Sequence, residues 1–118
     1  MNLEQFRNYC ISKKAATEDL PFDETTLVFR VGNKIFAITS LERLPFRVNL
    51  KCDPERAIEL RERYECVTPG YHMNKKHWNS IEPNNDLPDD ILKELIDHSY
   101  DLVFKSLKKS DREKISKL

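Results

Sequence analysis

The sequence predicts an α+β domain in which an antiparallel sheet packs against helices. Three observations lead to this prediction. Two β-rich runs flank Gly32-Asn33, a dipeptide suited to a tight hairpin turn. Residues 46–52 alternate apolar and polar side chains, as a half-buried strand does. Residues 88–108 carry the apolar stripe of a long helix, so the predicted order is helix, two or three strands, helix, strand, helix.

The composition limits the class of protein. A chain of 118 residues can bury a hydrophobic core, so we predict one domain over residues 1–118, with residues 110–118 either helical or frayed. Twenty basic and twenty acidic residues cancel, so nucleic-acid binding would need a local basic surface. No apolar run approaches the ~20 residues of a membrane-spanning helix, and we expect no membrane interaction.

The cysteines and histidines match no disulfide or metal pattern. Cys10, Cys52 and Cys66 fit neither a Cys-x-x-Cys site nor an even disulfide framework, and no apolar leader precedes them. We therefore predict free thiols in a reduced, cytoplasmic protein. Cys66, His72 and His77 would supply only three zinc ligands at unsuitable spacings, so no metal is predicted.

The first part of the chain predicts a helix and a connection. Asn2 can cap a helix over residues 3–14, with Gln5 completing the reciprocal capping arrangement. Residues 15–24 are acidic and irregular, and Pro21 disfavours continued helix, so this segment is expected to be a connection. Its carboxylates lack the alternating spacing of a cation-binding loop.

The hairpin prediction places strands at residues 27–31 and 34–39. Its tip would expose Asn33 and Lys34, with Arg30 nearby. Two interpretations are open: a plain part of the sheet, which we favour, or a wing that reaches toward a polyanion.

The alternating segment that follows predicts a third strand with two different faces. Its apolar face leads to the core, whereas its outer face carries Arg47, Asn49 and Lys51. That outer face suits water and also phosphate groups. Asp53 and Pro54 then begin a helix over about residues 54–65.

Residues 68–81 form the chemically richest segment, with two of the three histidines and the only tryptophan. Pro69 presets its own φ, and Gly70 is predicted to take a positive φ, so a turn introduces an aromatic and basic loop. A strand over about residues 77–81 follows, and a polar turn separates it from the long helix at 88–108.

Cations and aromatic rings alternate within this loop, in a mixture that suits phosphates and nucleobases. The residues concerned are Tyr71, His72, Lys75, Lys76, His77 and Trp78. The alternative is that the rings pack in the core and leave the lysines in water. The two glycines are too far apart for a phosphate loop, and no nucleophile signature surrounds Cys66, so neither a cofactor nor an enzyme is predicted.

Four segments together resemble the MmcQ/YjbR family, over a span from the first helix to about Leu107. They are Leu20-Pro-Phe-Asp23, Val48-Asn-Leu-Lys-Cys-Asp-Pro54, Pro69-Gly-Tyr-His-Met-Asn-Lys-Lys-His-Trp78 and Ser99-Tyr100. The resemblance implies a bacterial cytoplasmic protein with a fold like that of the frataxin homologue CyaY, arranged as a double wing for DNA binding. Iron handling is not implied, because residues 3–14 contain only Glu4 as an acid.

Carried onto this sequence, the family motifs give two groups of candidate residues. The candidate nucleic-acid contacts are Lys51, His72, Asn74, Lys75, Lys76 and His77. The candidates for shaping the loop are Pro69, Gly70 and Trp78. The expected function is therefore DNA binding without catalysis, and the alternative is a module that binds a protein or a small ligand without nucleic acid.

Overall fold

The computed structural model describes residues 1–70, 73–83 and 86–118. The predicted α+β class is confirmed: the described residues form a six-stranded antiparallel sheet and four helices. In chain order these elements are α1 (Leu3–Ile11), β1 (Thr17–Asp19), β2 (Thr26–Val31), β3 (Lys34–Ser40), β4 (Val48–Lys51), α2 (Pro54–Arg63), β5 (Val67–Pro69), β6 (Trp78–Ile81), α3 (Asp89–Lys105) and α4 (Lys109–Ser116).

The strand order across the sheet is β1-β2-β3-β4-β6-β5, and each neighbouring pair is antiparallel. Consecutive strands are neighbours except where α2 and β5 intervene between β4 and β6. One row of directly opposed residues crosses all six strands: Asp19, Val28, Ile38, Asn49, Ser80 and Thr68. Because side chains alternate along a strand, this row belongs to one face of the sheet.

The hydrophobic core lies on the other face, against the helices. Phe29 meets Phe6 of α1 edge to face, with ring centroids 5.7 Å apart, and Phe36 meets Tyr100 of α3 at 5.3 Å. The remaining two helices add buried residues to the same core, Ala57 and Ile115. We call the face that carries the row from Asp19 to Thr68 the open face.

The predicted hairpin is confirmed. Gly32 and Asn33 form its two-residue connection with φ values of 55° and 71°, as a type I′ turn requires. The tip is tied to the end of α3, because Lys34 Nζ donates to the Ser106 carbonyl at 3.1 Å. Arg30 donates to the Asn33 carbonyl at 3.1 Å. These contacts favour the plain-sheet interpretation of the hairpin over a projecting wing.

The first helix is shorter than predicted. It keeps the predicted capping box between Asn2 and Gln5 but ends at Ile11. Ser12 caps its end, and Ala15 takes a left-handed φ of 60°, which stops helical propagation. The helices predicted over 54–65 and 88–108 also end early, at Arg63 and Lys105.

Two edge strands were not predicted. β1 lies inside the segment that the sequence analysis treated as an irregular connection, and β5 comes just before the aromatic and basic loop. Each has three residues, too few for a reliable period-two pattern. The terminal segment, left open between helix and frayed chain, contains α4, whose Ile115 is buried.

The side chain of Ser99 in α3 is buried against a bulge in β3. Phe29 pairs with Ala37 and Arg30 pairs with Ile35, so Phe36 is an extra residue. The Ser99 hydroxyl of α3 donates to the Phe36 carbonyl at 2.5 Å and accepts from the Lys51 N–H at 2.9 Å.

His98 connects α3 to the start of α2. Its Nε2 accepts a hydrogen bond from the Asp53 N–H at 3.1 Å, while the Asp53 carboxylate caps α2 by accepting from the Arg56 N–H at 3.2 Å. Burial, and secondarily the Arg56 charge, lower the pKa of His98 below its ordinary value of 6.5. The folded protein therefore favours the neutral imidazole, which can accept this bond.

Protonation of His98 is expected to destabilise the fold in mildly acidic solution. Because the unfolded state binds the proton more readily, this contribution is intact above about pH 6.5 and is lost as the pH falls toward the folded pKa. Urea unfolding at about pH 7 and about pH 5 measures the loss. His98→Gln keeps an acceptor for the Asp53 N–H but does not titrate, so its stability should fall less over this interval. An equal fall in both proteins would contradict the role of His98.

Candidate functional site

The aromatic and basic loop ends in a compact turn at residues 74–77. The Asn74 carbonyl accepts from the His77 and Trp78 N–H groups at 3.2 and 2.9 Å, and its side-chain oxygen accepts from the Lys76 N–H at 2.9 Å. Lys75 and Lys76 are exposed. Asn74, predicted as a nucleic-acid contact, therefore uses its side-chain oxygen to shape the turn.

A second element holds this turn in place. Arg61 of α2 donates from Nε to the Asn79 side chain at 2.6 Å and from Nη2 to the Lys75 carbonyl. Asn79 is buried and also donates to the Ala57 carbonyl at 3.4 Å. The turn is thus anchored to both α2 and β6, which fixes the backbone from which the two lysine side chains project.

The predicted alternation of β4 is confirmed on its core side by buried Val48 and Leu50. Lys51 ends this strand directly opposite Trp78, the first residue of β6, and both are half-buried. By alternation their side chains share the open face with Asn49. The His77 carbonyl accepts from the Cys52 N–H at 2.8 Å, so the turn at residues 74–77 adjoins the end of β4.

Pro69 and Gly70 act differently from the prediction. Pro69 ends the edge strand β5, where its missing N–H costs the sheet nothing. Gly70 does not have a positive φ, so the predicted left-handed turn is wrong. A side chain is excluded there by close approach: an added Cβ would lie 2.8 Å from the Trp78 Cβ and 3.0 Å from its carbonyl oxygen.

The predicted contact His72 lies outside the described residues, together with its neighbour Tyr71. His77 is half-buried beside the exposed lysines. The structure thus brings Lys51, Lys75, Lys76 and the ring of Trp78 to one end of the sheet. The hairpin tip lies toward this same end of the sheet, because Leu50 of β4 pairs with Ala37 of β3, but its Lys34 is engaged by α3.

Sequence reasoning missed a cavity of about 260 Å³ on the open face. It lies where connecting segments approach β3 and β4, and its walls include Phe22, Ile38, Arg43, Arg47, Asn49 and Met73. Phe22 and Met73 belong to two of the motifs behind the family resemblance. That coincidence was the available signal, but neither residue type by itself predicts a site.

The cysteines offer little to a nucleophilic mechanism. All three are free and buried. Burial raises the pKa of Cys52 to about 11, and burial also raises the pKa of Cys66. A thiol that remains protonated at neutral pH is a weak nucleophile. Within the described part of the chain, no cluster of three His, Cys, Asp or Glu residues could hold a metal ion.

Comparison with known proteins decides the family. A family model described as YjbR matches residues 11–102, which include the bulged sheet, Ser99 and the basic turn. The chain belongs to the YjbR family. The Escherichia coli O157:H7 protein YbdF is 41% identical over 96 residues, which cover 80% of this chain and 78% of YbdF. YjbR of Escherichia coli K12 is 30% identical over the full length of both chains.

Solved structures of related proteins have the same fold. The crystal structure of Deinococcus radiodurans DR2400, described as a DUF419 domain, superimposes with a TM-score of 0.92 at 37% identity, covering 98% of this chain and 88% of that one. A Pseudomonas syringae protein gives a TM-score of 0.75 at 29% identity, covering 87% and 99%. The names of these relatives and solved structures state no activity, so the function is inferred from the chemistry of the site.

No helix in the described ranges has the length and apolar character needed to cross a membrane.

Proposed function

We propose that this YjbR-family chain binds DNA, without catalysing a reaction, through the turn at residues 74–77 and the adjoining end of the open face. One observation carries the proposal. Lys51 and Trp78 lie opposite each other on β4 and β6, and the turn that carries exposed Lys75 and Lys76 leads directly into Trp78. Cations beside an aromatic ring suit a polyanion that also carries flat bases.

The residues have separate roles in this proposal. Lys75 and Lys76 are flexible point charges that attract phosphates without reading sequence. The half-buried Trp78 offers part of a ring, and Lys51 offers a cation with less freedom of movement. Anchoring of the turn by Arg61 and Asn74 lowers the conformational cost of presenting the two lysines. His72 and His77 remain candidate contacts.

The charge distribution favours modest, salt-sensitive binding. The chain has a net charge of zero, so long-range attraction is weak and affinity must come from this local group of cations. In the double-wing arrangement that the family resemblance implies, this turn is the projecting element the proposal uses. The hairpin supplies less, because Lys34 is engaged by α3.

Substitution of both turn lysines by alanine is expected to weaken binding to all duplex sequences alike. Each lost phosphate contact lowers the magnitude of the slope of log affinity against log salt by about 0.9, so the double variant should lose nearly two units. Fluorescence anisotropy of a labelled duplex across a salt series measures both affinity and slope. Thermal unfolding should hardly change, because both side chains are exposed.

The matched control is Lys114→Ala with Lys117→Ala on and beside α4, which removes the same charge from the other side of the sheet. Both lysines are exposed. A control that lowers the slope as much as the turn variant would point to bulk charge. If the unchanged protein shows no salt-sensitive binding at low ionic strength, DNA binding is refuted and the protein- or small-ligand-binding alternative takes its place.

A further inference from the structure

The cavity on the open face differs chemically from the turn at residues 74–77, which carries Lys75 and Lys76. Its volume is about 260 Å³. Drug-sized ligands occupy roughly 300–1,000 Å³, whereas an apolar cavity of about 150 Å³ holds benzene. The cavity therefore has room for a molecule with one ring or a short hydrocarbon chain and one polar group.

One part of the wall is cationic. Arg43 and Arg47 both line the cavity, and none of the described lining residues is a carboxylate. Arg43 donates from Nη2 to Glu82 at 2.9 Å, but its Nε is buried without a hydrogen-bond partner among the described residues. A buried donor without an acceptor is unfavourable, so this guanidinium keeps unmet hydrogen-bonding capacity beside the cavity.

The backbone beside these arginines is fixed. Thr39 lies in β3 and donates from its buried hydroxyl to the Arg47 carbonyl at 2.8 Å, which ties the start of β4 to its neighbour. Asn49, also on the cavity wall, accepts from the Ser80 hydroxyl at 2.5 Å. The polar side of the cavity is thus attached to the sheet.

Another part of the wall is apolar and incompletely covered. Phe22, Ile38 and Met73 line it, and Phe22 is 66% exposed. The following residue holds the Phe22 backbone in place, because the Asp23 carboxylate accepts from the Thr25 and Thr26 N–H groups at 2.9 and 2.6 Å. A hydrocarbon group in the cavity would cover part of the exposed ring, which is favourable.

We infer that this cavity binds a small organic carboxylate, with its acid group at Arg43 and Arg47 and its hydrocarbon part against Phe22, Ile38 and Met73. The planar guanidinium matches a carboxylate in shape and charge. The apolar wall favours an organic acid over inorganic phosphate, which has no hydrocarbon part. This site is separate from DNA binding, and its test contains no nucleic acid.

Benzoate is a suitable probe, and benzamide is its uncharged counterpart of nearly equal shape. Titration of the ¹⁵N-labelled protein is expected to give saturable amide shifts with benzoate, centred on residues 22–26, 38–49 and 73. Benzamide and inorganic phosphate should each bind at least about tenfold more weakly, because one lacks the charge and the other the ring. Equal shifts with any two of the three probes would overturn the inference, as would benzoate shifts centred elsewhere or no saturation.

Two variants separate the two sides of the cavity. Arg43→Gln should weaken benzoate binding about tenfold or more, since it removes a guanidinium charge from the cavity wall. Phe22→Ala should weaken it several-fold and leave the preference for benzoate over benzamide intact. Both changes lie outside the buried core, so the amide spectrum elsewhere reports an unchanged fold. Arg63→Gln on α2 is the matched control; a loss as large as that of Arg43→Gln would overturn the assignment of the anion to this cavity.

Discussion

Ser99→Ala is expected to lower the free energy of unfolding by about 2–4 kcal/mol, although it removes a single oxygen atom. The hydroxyl is fully buried and makes two hydrogen bonds, to the Phe36 carbonyl and from the Lys51 N–H. Phe36 is the extra residue of the β3 bulge, and Lys51 lies beside it on β4. Alanine would leave a buried donor and a buried acceptor unsatisfied, each at a cost of about 1–3 kcal/mol.

Urea unfolding measures this effect, and Ser110→Ala is its control. Ser110 is exposed in the first turn of α4, so its replacement should change stability by less than about 0.5 kcal/mol. Amide exchange at Lys51 should also accelerate in Ser99→Ala, because that N–H loses its acceptor. A loss below about 1 kcal/mol would mean that the bulged backbone finds other partners.

Gly70→Ala is expected to destabilise the protein by about 2–3 kcal/mol through overpacking. The added Cβ would approach the Cβ and the carbonyl oxygen of Trp78. That oxygen accepts from the Gly70 N–H at 2.8 Å, in a hydrogen bond that joins β6 to the residue following β5. The clash cannot be relieved without lengthening this hydrogen bond. Backbone must move, and backbone in a sheet yields less readily than a side chain.

The tryptophan gives a second measurement of this change. Trp78 is the only tryptophan in the chain, so a shift in its fluorescence reports movement at the contact itself. Thr68→Ala is the control: Thr68 is exposed on β5, two residues before Gly70, and its replacement should cost less than about 0.5 kcal/mol without a fluorescence shift. Unchanged stability and fluorescence in Gly70→Ala would contradict the close packing.

Elements with strong local signals were predictable from sequence. Gly32 and Asn33 define the hairpin because few other dipeptides accept two positive φ values. The alternation in β4 correctly placed Val48 and Leu50 in the core. β1 was missed because its polar sequence forms a strand only by pairing with β2, with Glu18 held by Arg7 of α1. Such tertiary causes leave little trace in a local pattern.

The candidate site was predictable only where its residues lie close together in the sequence. Lys75 and Lys76 are adjacent in sequence, and their exposure follows from a short turn; their contact with DNA stays a prediction. The cavity could not be predicted from the sequence, because Phe22, Arg43 and Met73 come from separate connections that meet only in the folded chain. The positive φ expected for Gly70 was wrong because the same residue type serves close packing as well as turns.

The short edge strands have a consequence for how this fold evolves. β1 and β5 offer three residues each, and Pro69 cannot donate a backbone hydrogen bond, so the sheet is a poor template for an added strand. A partner of this sheet would then be bound by side chains, which mutation can replace one at a time, and not by main-chain groups at the sheet edges. Solved structures at 29–37% identity keep this fold, so the scaffold tolerates replacement of most of its side chains.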